Sequence, residues 1–235
     1  EVMIGTLYGV GVGPGDPDLI PLKAPKVLQA APVIAYPAPE VGDSLARRIA
    51  APHIPAGRRE IIIRMPLDPK RFPDRGAYDK GAAEIAKALR GGEDVAVLCE
   101  GDPFFYGSFM YLFNRLTDAF PIQVVPGISS LMACAGASLT PLAARNEVLS
   151  ILPAPMAAAD LRERLLRTDA AAIIKLGRHT PKVFAVLRDL DLLDRAHYVA
   201  HATMPDQQVQ MLADIDPEEV PYFAMILVRK GSVGL

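Results

Sequence analysis

Val95-Ala96-Val97-Leu98-Cys99-Glu100-Gly101-Asp102-Pro103-Phe104-Phe105-Tyr106-Gly107 is the stretch that decides the fold. It opens on a short, continuous apolar run, the pattern of a strand buried on both faces of a parallel sheet. The residues after Cys99 are acidic, include glycine and are stiffened by Pro103, so the strand runs into a shaped loop before a helix-like segment from Phe105 to Leu116. Parallel strands offer their carboxyl ends to ligands. Gly101 lets backbone approach a bound molecule, and Asp102 brings a carboxylate to the crevice. Taken alone, the stretch also fits an ordinary strand-to-helix turn with a capping Asp.

Outward from this strand, apolar runs and helix-like segments alternate: Thr6 to Val10 then Leu22 to Ala30, Val33 to Tyr36 then Ser44 to Ala51, and Ile61 to Arg64 then Tyr78 to Arg90. That order predicts an α/β lobe with a mainly parallel sheet. After Phe120-Pro121 the strand-like runs are Ile122 to Val125, Val148 to Leu152, Ala171 to Leu176, His197 to Ala200, Val209 to Ala213 and Phe223 to Val228, and only the first three are clearly separated by helices. A second lobe with a mixed sheet is expected, which divides the chain into 1–120 and 121–235 with the active site in the cleft between the lobes.

Composition bounds the chemistry. The chain has 235 residues, 51% of them hydrophobic and 22% charged, with a formal net charge of −2, which describes a globular protein with no electrostatic case for nucleic acid. No apolar run is long enough to span a bilayer, so no membrane partner is expected. The two cysteines, Cys99 and Cys134, lie in apolar surroundings without metal-ligand spacing. They read as buried thiols in a reducing cytoplasm. His53, His179, His197 and His201 form no convincing metal set, so no metal is expected.

Two familiar motifs fail on inspection. Gly9-Val10-Gly11-Val12-Gly13-Pro14-Gly15-Asp16 follows a strand, but the third glycine of a dinucleotide fingerprint falls on Pro14, Asp16 or Asp18, depending on where the count begins. Asp16 and Asp18 would also repel phosphate, so the loop suits a cation or a neutral group. Gly42-Asp43-Ser44-Leu45 matches a GDSL-type hydrolase nucleophile block, with Asp194 and His197 in triad order. Ser44 also reads as the N-cap of the next helix, and no oxyanion-hole block is recognisable.

Three segments together carry more than any one: Gly11-Val12-Gly13-Pro14-Gly15-Asp16-Pro17-Asp18-Leu19, Glu100-Gly101-Asp102-Pro103-Phe104 and Val125-Pro126-Gly127-Ile128-Ser129-Ser130. In order, spacing and strand-end placement they resemble the hallmark segments of the tetrapyrrole methylases. The longer strings from Leu98 to Leu112 and from Val125 to Ala135, with Thr140 to Glu147, look most like the branch that methylates the C-20 meso carbon of precorrin-2 in vitamin B12 synthesis. Ile20 and Pro21 depart from that pattern, Pro21 standing where many relatives carry Thr.

The resemblance implies a two-lobed tetrapyrrole methylase-like fold, a homodimer, and S-adenosylmethionine as a methyl donor consumed in the reaction. Matched residue by residue, it puts Pro14, Glu100, Gly101, Asp102, Phe105, Ser129 and Ser130 at cofactor-lining positions, with Leu176 and Ala202 flanking the adenosine. It implies direct attack of the meso carbon on the sulfonium methyl, followed by loss of the meso proton, with Asp102, Glu100 and Tyr106 nearest for positioning or proton removal. The motifs do not separate a cobalt-containing from a metal-free substrate, and a sister methylase acting at another ring carbon stays open as the alternative. A polycarboxylate substrate calls for cations, and Arg58, Arg59, Arg64, Lys70, Arg71 and Arg75 cluster in one proline-punctuated segment. Arg64 and Arg145 are the preferred contacts.

Overall fold

A computed structural model of the chain describes residues 3–66 and 74–231. Two compact units emerge, Glu1–Ser129 and Ser130–Leu235. The first is built on five strands, β1 (Leu7–Gly11), β2 (Val33–Pro39), β3 (Arg59–Met65), β4 (Val95–Cys99) and β5 (Ile122–Val125), in the order β3-β2-β4-β1-β5 with every pairing parallel. Its helices are α1 (Lys23–Ala30), α2 (Leu45–Ala50), α3 (Arg75–Arg90) and α4 (Phe109–Leu116).

β4 shows why the apolar run had to be a central strand. Val95, Val97 and Cys99 point into a core with Tyr78, Ile85 and Leu89 of α3 and Phe109, Leu112 and Leu116 of α4. Ala96 and Leu98 point the other way, into a core with Ala24 and Leu28 of α1 and Ala46, Ile49 and Ala50 of α2. A two-residue period divided between two apolar cores leaves no polar position on the strand. Gly9 serves the same packing, because a Cβ there would lie 2.5 Å from the Phe109 ring.

The second unit carries β6 (Leu149–Pro153), β7 (Ala170–Ile174), β8 (Ala196–Ala200), β9 (Gln208–Met211) and β10 (Ala224–Arg229), in the order β6-β7-β10-β8-β9. Only β6 and β7 run parallel, so this sheet is mixed, as the hairpin-like spacing predicts. Leu161 and Leu165 of α6 (Ala158–Leu166) and Val183, Val186 and Leu187 of α7 (Thr180–Asp189) bury one face. α5 (Ser130–Ala137) packs on β8 and β10.

Two expectations shift. The sequence order places Ile122–Val125 in the second lobe, but this strand pairs with β1 at Leu7↔Ile122 and closes the first sheet, so the first unit runs to Ser129 instead of residue 120. The helix expected from Phe105 starts at Phe109. Tyr106 has φ +54, and a Cβ on Gly107 would sit 2.5 Å from the carbonyls of Asp102 and Pro103, so the chain there is a closed loop and not a first helical turn.

Candidate functional site

Strands β4, β1 and β5 are adjacent and parallel, so the three segments singled out in the sequence leave one edge of the first sheet side by side. They meet backbone to backbone. Gly13 and Gly101 form a two-way bridge, Gly101 N donating to Gly13 O at 2.7 Å and Gly13 N to Gly101 O at 3.3 Å. Both have positive φ, +80 and +61, which a side chain would disfavour. Gly127 closes the third side: a Cβ on it would fall 1.9 Å from Gly101 O, and a Cβ on Gly11 would fall 2.6 Å from Gly127.

Asp102 is the fastener. Its Oδ1 accepts from Phe104 N at 2.9 Å and its Oδ2 from Gly127 N at 3.0 Å, joining the loop after β4 to the loop after β5. Both oxygens therefore act on the main chain, which makes Asp102 a loop-holding residue. Asp16 does similar local work, accepting from Asp18 N at 2.9 Å to cap the short turn Pro17–Leu19.

Glu100, next to the buried end of β4, has its pKa raised, chiefly by desolvation; the amides of Glu100 and Ala46 counter this only in part. Pro14 and Gly101 are buried, Phe105 is half-buried, and Tyr106 is 45% exposed with its ring edge-on to Phe105. Ser129 and Ser130 stand at the start of α5.

In the second unit Leu176 and Ala202 follow β7 and β8, whose carboxyl ends share one edge of that sheet because both run antiparallel to β10. Both are buried, at 0% and 7% exposure, so backbone is what they offer. The non-glycine residues before each, Lys175 and His201, have φ +59 and +49, as does Thr203 at +68. Such left-handed positions cost about 1–3 kcal/mol each and cluster where geometry is imposed by function. His201 Nδ1 lies 2.6 Å from Asp206 Oδ2.

The basic segment does not form one loop. Arg58 donates to Gln29 O, Arg59 on β3 pairs with Glu93 at 2.9 Å, and Arg64 Nη1 donates to Pro39 O and Gly42 O at 3.0 Å each. Arg64 thus ties the loop after β2 to β3. Arg75 opens α3, while Lys70 and Arg71 lie outside the described residues. Arg145 is exposed, with φ +49, in the loop between α5 and β6. The hydrolase alternative loses its nucleophile: Ser44 is 3% exposed and its Oγ accepts from Arg47 N at 3.3 Å to cap α2. Arg229 and Glu147, paired at 2.6 Å beneath the Arg145 loop, escape a reading of the sequence. Glu147 lies inside the Thr140–Glu147 string, but nothing local marks its partner on β10.

Compared with known proteins, residues 6–215 match the family description "Tetrapyrrole (Corrin/Porphyrin) Methylases". A Sinorhizobium protein named precorrin-2 C(20)-methyltransferase is 40% identical over 235 residues, 97% of this chain and 96% of its own. A Mycobacterium tuberculosis protein named cobalamin biosynthesis protein CobIJ is 41% identical over 236 residues, 97% of this chain and 46% of that protein; the chain spans about half the length of the mycobacterial relatives it matches. An X-ray structure of cobalt precorrin-4 methyltransferase superposes with a TM-score of 0.75 at 24% identity, covering 95% of this chain and 94% of the other, which is a likeness of fold.

Proposed function

The chain belongs to the tetrapyrrole methylases, and we propose that it methylates precorrin-2 at the C-20 meso carbon, using S-adenosylmethionine, in cobalamin biosynthesis. The observation that carries this is the main-chain lock of three loops at one sheet edge, together with the near full-length likeness to a precorrin-2 C(20)-methyltransferase. The lock suits this methyl donor for a physical reason. The amides of Gly13, Gly101, Phe104 and Gly127 are consumed within it, so they make no nest for a phosphate, whereas Glu100 offers a carboxyl to a cation.

S-adenosylmethionine, when bound, supplies a methyl group on a positively charged sulfur. The chain's own residues supply position. Asp102 fastens two loops, Glu100 faces cationic charge, Pro14, Gly101, Phe105, Ser129 and Ser130 line the donor, and Leu176 and Ala202 present backbone to its adenosine. Tyr106 stands beside the reacting carbon, Arg145 grips substrate carboxylates, and Arg64 holds the loop after β2. The net change breaks the sulfur–methyl bond, forms one carbon–carbon bond at C-20, and releases S-adenosylhomocysteine and the meso proton. Orientation in a site poor in water accounts for most of the acceleration, because the leaving group is already activated.

The enzyme of this reading is a cytoplasmic homodimer; Met132 on α5 and Leu139 just after it, exposed at 55% and 88%, support a covered face. Among the described residues no helix is long and apolar enough to cross a membrane.

The test joins binding to product analysis. Calorimetry is expected to show S-adenosylmethionine binding with a dissociation constant in the range of about a micromolar or tighter, stabilising the fold by about 2.7 kcal/mol at about a hundredfold excess. With isotope-labelled donor and either metal-free or cobalt-containing precorrin-2, NMR is expected to find the new methyl at C-20. Label at another ring carbon would reassign the regiochemistry, and a folded protein that ignores the donor would remove the assignment.

A further inference from the structure

We propose that Arg229 and Glu147 are positioning residues that hold Arg145 out as a carboxylate-recognising finger, so that this clamp sets how the polycarboxylate macrocycle is gripped. The inference rests on the methyl-transfer reading above and adds to it a specificity element. Arg229, the last residue of β10, is only 10% exposed at its side chain, and it binds both ends of the stretch 141–147 in the loop between α5 and β6. Its Nη1 donates to Pro141 O and Leu142 O at 3.0 Å each, and its Nη2 donates to both carboxylate oxygens of Glu147 at 2.7 and 2.6 Å. Glu147 Oε2 also accepts from Ala144 N at 2.7 Å, and Glu147 N donates to Ala144 O at 3.0 Å. One guanidinium therefore closes residues 141–147 into a ring.

Arg145 is carried at the outer turn of that ring. It is exposed, and among the described residues it makes no hydrogen bond or ion pair, so its charge is presented outward. Its φ of +49 is one a β-substituted residue reaches only against steric resistance and keeps only where its surroundings over-determine it. The surroundings here are the clamp. Glu147 is fully engaged by Arg229 and Ala144, so it does not draw Arg145 back onto the surface. An arginine held in a strained conformation, without a partner among the described residues, on a loop stapled from beneath has the form of a pre-organised receptor for a carboxylate, which the guanidinium fork meets with two parallel hydrogen bonds.

The test uses the full chain with S-adenosylmethionine and precorrin-2. Arg145→Ala is expected to raise KM for precorrin-2 by ~10–100-fold, the usual worth of a charge-assisted contact, with kcat little changed and donor affinity by calorimetry unaltered. Arg145→Gly is expected to raise KM similarly while raising the thermal midpoint, because glycine relieves the left-handed strain. Glu147→Gln, which keeps shape and loosens the clamp, is expected to raise KM about threefold or more in the native background and to add nothing once Arg145 is Ala. Additive effects of the two substitutions, or an Arg145→Gly variant with native KM, would overturn the clamp alone. A native protein that binds the donor yet methylates no tetrapyrrole would overturn the methyl-transfer reading and this inference with it.

Discussion

Glu100 shows how one buried carboxyl links site chemistry to stability. Desolvation raises its pKa in the folded chain, so between the ordinary and the raised value the folded state binds more proton than the unfolded chain. Its contribution to stability is complete below the ordinary carboxylate pKa and is lost as pH rises through the raised value. Glu100→Gln is therefore expected to raise the thermal midpoint at neutral pH and to flatten its dependence on pH from there into the acid range. Midpoints measured by calorimetry across that range check it, and parallel curves for the two proteins would contradict it. A cation bound beside Glu100 pulls the other way and releases that proton, so donor affinity is expected to rise with pH through the same window. Glu147 has the opposite sign. The guanidinium of Arg229 and the amide of Ala144 lower its pKa, so its stabilisation is present above the ordinary carboxylate range and is lost as pH falls through the lowered value.

At the scale of elements, glycines separate the positions where backbone must touch from those where it merely turns. Gly127→Ala would force a Cβ to within 1.9 Å of Gly101 O, against backbone that cannot move aside without opening the lock. A loss of about 3 kcal/mol or more is expected, with donor binding lost in whatever remains folded. Gly136→Ala in α5 meets nothing within 4 Å and is expected to be neutral or to stabilise by up to about 1 kcal/mol. Chemical denaturation of the pair checks both, and similar losses in the two would refute the lock. Strands β1, β2, β4, β7, β8 and β10 are legible in the sequence because their apolar runs record burial directly, whereas β9, exposed along most of Gln208–Met211, carries no such record of burial. The helix start at Phe109 is not, because Phe105, Phe109 and Leu112 keep helical spacing while the closure around Gly107 depends on contacts with Asp102 and Pro103. Arg64 reads as a free cation for an analogous reason: the carbonyls it binds, Pro39 and Gly42, belong to a different strand end, and no local pattern announces them. Glu147 and Arg229 lie 82 positions apart, beyond any periodicity.

On the scale of the whole molecule, the placement of β5 decides where the chain divides. Its pairing with β1 joins Leu7 to Ile122, and the apolar clusters on the two faces of that sheet draw all their members from the first unit, while another serves the second. A chain ending at Ser129 therefore retains a complete sheet with both faces covered. Expressed alone, residues 1–129 are expected to unfold in a single cooperative transition by circular dichroism. A fragment ending at residue 120 lacks β5 and is expected to lose that cooperativity. Equal behaviour of the two fragments would show that β5 is dispensable to the unit. The lock at the end of this sheet also has an evolutionary consequence. At positions 11 and 127 the usable alphabet shrinks to a single letter, so a randomised library selected for folding would return glycine at both. Divergence toward new substrates is thereby channelled to side chains outside the lock, such as Tyr106, which can vary without dismantling the frame that holds the loops together.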